Sequence, residues 1–209
     1  VLVRGGLIPG EVMAGSWGFL VVAVCCGVIL AVQAGWPVLV FAVTGGAIAM
    51  AYTRRGFCLK YAGLGDAAIF PAFGILPTWG AYWVQAERFA WQPILWSIPL
   101  GCCTVAILHA NNWRDVESDV RIGCRTLAAR LGDYGSRAYY RGLLIVPLVL
   151  VLGYLALTEF DAACVDAPPH VLLVLLAAPR AVILAVRSCR GRERGMLDVK
   201  TARYQLEFG

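Results

Sequence analysis

Long apolar stretches alternate with short polar stretches along nearly the whole chain. Because a helix needs about 20 mostly apolar residues to cross a bilayer, the longest of these stretches are candidate membrane spans. The pattern predicts six of them, at residues 12–34, 37–52, 64–84, 93–110, 142–157 and 171–186. The spans and their connections occupy most of residues 1–209. We therefore predict a single all-α membrane domain, a polytopic transmembrane helical bundle, with no separate soluble domain.

Composition and charge support this interpretation and give it an orientation. The chain is 60% hydrophobic with a mean hydropathy of +0.72, well above the apolar share of soluble domains. Basic residues cluster in alternate connections: Arg54, Arg55 and Lys60; Arg114, Arg121, Arg125, Arg130, Arg137 and Arg141; and Arg187, Arg190, Arg192, Arg194 and Lys200. Six spans threaded in turn put these connections on one face, which we predict to be cytoplasmic. The net charge of +5 then reflects topology and anionic ligands, and gives no reason to invoke a nucleic acid.

The most polar segment lies between the fourth and fifth predicted spans. Within it, Asn111, Asp115 and Asp119 recur at every fourth residue, so they share one face if the segment is helical. Two carboxylates at this spacing repel each other by a few tenths of a kcal/mol. A divalent cation bound between them would make their interaction favourable. Mg²⁺ is the natural candidate because it prefers carboxylates together with phosphate oxygens. The alternative is a solvated connection in which Asp and Arg side chains pair at the surface.

The connection between the second and third spans is basic and aromatic, and it lies on the same predicted face. Its basic residues Arg54, Arg55 and Lys60 either anchor the spans at the membrane interface or bind a diphosphate. Arg180, near the middle of the sixth span, either faces the bundle interior or extends its charge towards the interface. Sequence alone leaves both pairs of alternatives open.

The cysteines and histidines predict no metal site. The eight cysteines include no C-x-x-C motif, and those within spans behave as small hydrophobic residues. His109 ends one span and His170 precedes another, so we predict that each is a polar group at a membrane interface.

Residues 111–119, N-N-W-R-D-V-E-S-D, are followed by Gly123, by R-T-L-A at 125–128 and by L-G at 131–132. This pattern resembles the second Asp-rich motif of the UbiA superfamily of membrane prenyltransferases. More narrowly, it resembles the 1,4-dihydroxy-2-naphthoate polyprenyltransferases of menaquinone synthesis, whose motif reads N-N-x-R-D-x-x-x-D and then G-K-x-T-L-A. Residues 52–53 and 60–66 are similar to the other cytoplasmic loop of that subfamily, and residues 201–206 to the start of its last helix.

The resemblance implies a UbiA-like bundle around a membrane-embedded cavity, in an integral protein of a bacterial inner membrane. Mg²⁺ on Asp115 and Asp119 would bind the diphosphate of a polyprenyl donor, and an aromatic acceptor would attack the allylic cation that remains. Asn112, with Asn111, would orient the metal ligands. The resemblance also implies that six polar residues bind the diphosphate: Lys60, Tyr61, Arg54, Arg114, Arg125 and Asn111.

The chain departs from the family pattern at two points. Cys124 stands where many members have Lys, which removes one expected phosphate contact. The first Asp-rich motif of the family is absent from these residues, and it would lie upstream of Val1. We therefore expect a fragment of a longer protein, covering family helices three to eight and the start of the ninth, that is inactive alone.

Other functions are compatible with the same residues. A UbiA-type enzyme with another acceptor (4-hydroxybenzoate, homogentisate, haem or a glycerol lipid) keeps the same mechanism, although the N-N-x-R-D form argues against it. A transporter would use Asp115, Asp119 and Arg180 along an ion path. The acidic motif lies in one cytoplasmic connection, however, whereas transporter sites usually lie near the midplane of the bilayer.

Overall fold

The computed structural model describes residues 8–54, 58–159, 169–188 and 196–209, and within these ranges the ordered elements are all helical. The basic residues Arg55, Arg190, Arg192 and Arg194 lie outside the described residues. The helices are α1 (Pro9–Ala34), α2 (Pro37–Thr53), α3 (Gly65–Phe70), α4 (Leu76–Ala86), α5 (Gln92–Arg114), α6 (Val116–Arg121), α7 (Leu127–Glu159), α8 (Ala178–Arg187) and α9 (Leu197–Phe208).

Five helical stretches are long and apolar enough to cross a membrane. They are Pro9–Ala34, Gly65–Ala86, Gln92–Arg114, Leu127–Thr158 and His170–Arg187. The second predicted span corresponds to α2, which is apolar but has only 17 residues. The predicted polytopic helical bundle is thus confirmed, with five full-length spans and one shorter apolar helix among the described residues.

Two of the predicted spans are irregular where proline interrupts the helical hydrogen bonds. A π-helical turn, Pro71–Ile75, joins α3 to α4, at a point where the proline lacks a backbone N–H to donate. The Thr78 hydroxyl donates to the Gly74 carbonyl at 2.9 Å, which satisfies an oxygen of the widened turn. The last span begins as a 3₁₀ helix, Pro169–Ala177, and becomes α-helical at Ala178, immediately before Pro179.

α5 lies at the centre of the bundle. It packs against α7 and α9, and also against α3 and the π-helical turn. The closest approach is to the π-helical turn, where a Cβ added to Gly74 would lie 2.8 Å from the Cα of Gly101. Small residues at such crossings allow two helix backbones to approach within van der Waals contact. α5 is consequently fixed along its length, and its polar C-terminal end is held in one position.

Polar side chains join α9 to the rest of the bundle. The Tyr140 hydroxyl lies 2.7 Å from the Thr201 hydroxyl, and the Tyr204 hydroxyl donates to the Leu144 carbonyl at 3.1 Å. Arg180, whose orientation the sequence left open, pairs with Glu207 of α9 at 2.8 Å. Arg180 therefore faces a neighbouring helix, and α9 is bound to both α7 and α8.

The close approach at Gly74 predicts a stability effect. Gly74→Ala places a methyl group against the α5 backbone, so we expect the free energy of unfolding to fall by about 1–3 kcal/mol. Gly80→Ala is the matched control, because its new Cβ would lie 3.6 Å from the Phe41 ring, which is ordinary contact. Thermal unfolding in detergent should separate the two variants, and equal midpoints would contradict the tight crossing.

Candidate functional site

The connection between α2 and α3 folds back on itself at the polar end of the bundle. The Leu59 amide donates to the Ala51 carbonyl at 3.0 Å, and the Leu64 amide to the Leu59 carbonyl at 2.9 Å. Gly63 has a positive φ of 72°, and a Cβ there would lie 2.5 Å from the Arg130 Nε. Glycine permits both the left-handed backbone and this contact. The α2–α3 connection therefore lies directly against α7.

The predicted Asp motif is nearly continuous helix. The Asp115 amide donates to the Asn111 carbonyl at 3.1 Å, and the Asp119 amide to the Asp115 carbonyl at 2.9 Å. Helical spacing thus continues through the irregular residue Asp115, which separates α5 from α6. α6 ends at Arg121, two residues before Gly123. The positive φ of Gly123, 77°, lets the chain reverse there. The Cys124 amide then donates to the Asp119 carbonyl at 2.9 Å.

Two polar side chains of this motif are buried with an oxygen left unbonded. Asn112 is 2% exposed and Asp119 is 9% exposed. Among the described residues, neither Asn112 Oδ1 nor Asp119 Oδ2 has a hydrogen-bond partner. An unsatisfied buried polar atom costs about 1–3 kcal/mol. A cation or a hydrogen-bond donor would satisfy either oxygen.

Asp115 is in a different environment, because a guanidinium group already neutralises it. Arg114 contacts both of its carboxylate oxygens, at 2.8 and 3.0 Å, and also donates to Asn111 Oδ1 at 2.5 Å. The remaining Arg114 nitrogen binds Asp198 of α9. The hydrogen bonds from Arg114 lower the pKa of Asp115, and the charge of Lys60 lowers it further. Asp115 is therefore held in its ionised form.

Lys60 connects the α2–α3 connection and the Asp motif electrostatically. Its charge acts on both Asp115 and Cys124, so the α2–α3 connection and the Asp motif lie at the same end of the bundle, as predicted. Cys124 is fully buried. Burial raises the pKa of its thiol, and the nearby Asp119 raises it further. This side chain is therefore uncharged and does not replace the positive charge of a lysine.

The other residues predicted to bind diphosphate are less closely associated with the carboxylates. Arg54 is exposed where α2 ends, Tyr61 is exposed in the α2–α3 connection, and Arg125 is exposed just before α7. Within the described part of the chain, no hydrogen bond or ion pair joins any of the three to the motif carboxylates. Their role in diphosphate binding remains a prediction.

The structure adds residues that the sequence interpretation missed. Asp198 was not singled out, and the available signal was an acidic residue in the first turn of a helix. His109 was predicted to be an interfacial group, and this was wrong: it is fully buried, and its Nδ1 lies 3.1 Å from Asp66 Oδ2. The reason is that α3 and α7 cover α5 at this level, so the end of the predicted span is not at the surface.

The donor set fits Mg²⁺ with a phosphate-bearing ligand. In the described residues, no three His, Cys, Asp or Glu side chains are grouped to form a complete metal cage. Asp115 and Asp119 supply carboxylates, and Asn112 supplies an amide oxygen without a partner. Mg²⁺ typically uses one or two carboxylates and takes its remaining ligands from water and substrate phosphates. These residues match that pattern of coordination.

Comparison with known proteins gives the family. The model of the UbiA prenyltransferase family matches residues 1–199. The chain is 34% identical to 1,4-dihydroxy-2-naphthoate octaprenyltransferase of Mycobacterium tuberculosis, over 88% of the chain and 60% of that protein. It is 38% identical to UbiA prenyltransferase domain-containing protein 1 of Mus musculus, over 74% of the chain and 43% of that protein. The chain belongs to the UbiA prenyltransferase family, and it spans about half the length of these relatives.

The contact between Arg114 and Asp198 predicts local mobility in a variant. Asp198→Asn removes the negative charge that holds the start of α9 against α5, at a cost of about 1 kcal/mol for a partly exposed pair. We expect hydrogen exchange of the first amides of α9 to accelerate about fivefold, the factor that corresponds to this free energy. Glu117→Gln is the control, because Glu117 is exposed on α6. Unchanged exchange in Asp198→Asn would show that the ion pair does not anchor α9.

Proposed function

We propose that this chain carries the second Asp-rich half of the active site of a Mg²⁺-dependent aromatic prenyltransferase. The reaction is transfer of a polyprenyl group from its diphosphate to 1,4-dihydroxy-2-naphthoate, with release of diphosphate and CO₂, in menaquinone synthesis. The observation that carries the proposal is the pair of buried, unbonded oxygens on Asn112 and Asp119, next to an ionised Asp115. The acceptor is proposed from the name of the Mycobacterium tuberculosis relative and from the N-N-x-R-D form of the motif.

The residues of this chain would bind and orient the donor. Asp115 and Asp119 would hold Mg²⁺, which when bound stabilises the negative charge that develops on the departing diphosphate. Lys60 lies within electrostatic range of Asp115 and would add positive charge beside the diphosphate. Arg114 pairs with Asp115 and Asp198, so its guanidinium is already placed at the edge of the site.

The surroundings suit a reaction through a cation that water would destroy. The carboxylates lie at one end of apolar helices, five of which are long enough to span a membrane. An apolar cavity beneath the diphosphate would exclude water from the allylic cation until the acceptor attacks. We place the site at the cytoplasmic face of a bacterial inner membrane, on the basis of the basic connections.

A second candidate is UbiA-type transfer to another acceptor. It is favoured by similarity to UbiA prenyltransferase domain-containing protein 1, whose name specifies no acceptor. Transport is disfavoured because the unbonded oxygens lie at one end of the bundle, away from the midplane where transporter sites usually lie.

The two motif carboxylates give a direct test. In the complete polypeptide, Asp115→Asn and Asp119→Asn should each reduce prenyl transfer by about 10²-fold or more, the usual scale for groups that stabilise charge in the transition state. Glu117→Gln, on the exposed side of α6, should retain activity. The measurement is release of diphosphate with Mg²⁺, and normal rates in either Asn variant would refute the diphosphate site.

A panel of acceptors tests the substrate. The complete polypeptide, with Mg²⁺ and a polyprenyl diphosphate, should convert 1,4-dihydroxy-2-naphthoate into a decarboxylated prenyl product identified by its mass. 4-Hydroxybenzoate and homogentisate should react much more slowly. Preference for either of these would reassign the acceptor and leave the metal site intact. We expect residues 1–209 alone to be inactive in the same assay, because they supply one Asp-rich motif of the two.

A further inference from the structure

A buried polar cluster lies inside the bundle, next to the Asp motif along α5. Asp66 of α3 and His109 of α5 are 3% and 0% exposed, and Asp66 Oδ2 lies 3.1 Å from His109 Nδ1. Tyr139 of α7 packs its ring edge-on against the imidazole at 4.7 Å, and its hydroxyl interacts with Asp66. Three helices thus contribute to a cluster that the metal site does not use.

The geometry fixes which ring nitrogen contacts Asp66. A carboxylate only accepts hydrogen bonds, so His109 donates its Nδ1–H to Asp66, and in the neutral imidazole Nε2 is then the acceptor. His109 Nε2 is buried and has no hydrogen-bond partner among the described residues. An Asp–His pair with the second nitrogen available is the arrangement that orients histidine as a base. A purely structural histidine would be expected to bond through both nitrogens, because an unbonded buried acceptor costs free energy.

The free nitrogen lies near the reaction site. His109 and Asn112 are three residues apart on α5, so their side chains are neighbours, about 5–6 Å apart. Asn112 Oδ1 is also buried and unbonded. Tyr52 lies within electrostatic range of both Asp66 and Asp119, so the cluster and the Asp motif lie at the same end of the bundle. Tyr139, which packs against the imidazole, is in turn within electrostatic range of Cys102.

We propose that His109, oriented by Asp66, binds an aromatic hydroxyl of the acceptor and takes its proton during prenyl transfer. This inference rests on the proposed function and adds the position of the acceptor. The unbonded acceptor His109 Nε2 suits a ring that carries a hydroxyl group. The ligand class is therefore a hydroxylated aromatic acid bound beneath the diphosphate.

The proton and electrons balance within the reaction. As the hydroxyl O–H bond breaks, an N–H bond forms at Nε2, and the electron pair on oxygen increases electron density at the ring carbon. That carbon bonds to the allylic carbon of the donor, whose bond to the diphosphate oxygen breaks. When the carboxylate leaves as CO₂, its bonding pair restores the aromatic ring, and His109 returns the proton to the same oxygen. Histidine is thus regenerated without an external acid.

The first test compares acceptors of graded acidity in the complete polypeptide. His109→Gln keeps a polar side chain but cannot take the proton. We expect it to lose about 10²–10⁴-fold in the rate of transfer to the least acidic hydroxyl, the usual range for a general base, and progressively less as hydroxyl acidity rises. Asp66→Asn should show the same trend. His170→Gln is the matched control, because His170 is exposed at the opposite end of the bundle, and it should match the wild type.

Binding of the donor separates this inference from the function on which it rests. Mg²⁺-dependent binding of a non-hydrolysable prenyl diphosphate analogue should be unchanged in His109→Gln. A loss that is equal for all acceptors, or a wild-type rate in His109→Gln, would overturn the role of His109 and leave the prenyltransferase proposal intact. A wild-type protein that transfers to no hydroxylated aromatic would overturn both.

A measurement on the unaltered protein covers the case in which the buried variants do not fold. With ¹⁵N-labelled histidine, adding a hydroxynaphthoate that cannot be prenylated should shift the Nε2 resonance of His109, identified by its bond to Asp66. The His170 resonance should stay in place. An unchanged His109 resonance at saturating ligand would refute the contact.

Discussion

The burial of about half of α5 between neighbouring helices is the constraint on which the rest of the structure depends. α7 and α9 cover one side, and α3 with the π-helical turn covers another, so 12 of the 23 residues of α5 are buried. Polar groups placed on such a helix must be satisfied by neighbouring helices or by a ligand. On α5 and its continuation α6, His109, Asn112 and Asp119 each keep a buried polar atom without a hydrogen-bond partner among the described residues. The unbonded polar atoms singled out for the proposed site therefore lie on α5 and on its continuation, α6.

The two carboxylates of the motif are not equivalent, although the sequence presents them as a pair. Asp115 is 37% exposed and shares a guanidinium with Asp198, whereas Asp119 is 9% exposed and retains an unbonded oxygen. Helical spacing alone predicted a shared face. Asp115 is joined to α9 through Arg114 and Asp198, whereas Asp119 is buried at the end of the motif. Two chemically identical groups four residues apart therefore occupy a solvated position and an enclosed one.

Much of the fold was accessible from the sequence, because span length and apolar pattern are physical requirements of a bilayer. The convergence of Lys60 with the Asp motif was also predictable, since both lie in basic connections on one face. The π-helical turn at Pro71 and the 3₁₀ start of the last span were not predicted, because proline leaves several local geometries open. The Asp66–His109 contact joins residues 43 apart. Only the packing of α3 on α5 determines it, and no local pattern reveals such a pairing.

Arg114 gives the acidic end of the bundle a built-in counter-ion. Without it, Asp115 and Asp198 would face each other as two bare anions, and their repulsion would push α9 away from α5. With it, any cation that arrives at Asp115 replaces a positive charge that is already present. Metal uptake would then be an exchange of cations, in which the guanidinium is released towards an incoming anion. Arg114 therefore keeps this end of the bundle close to electrical neutrality, although two carboxylates face each other across it.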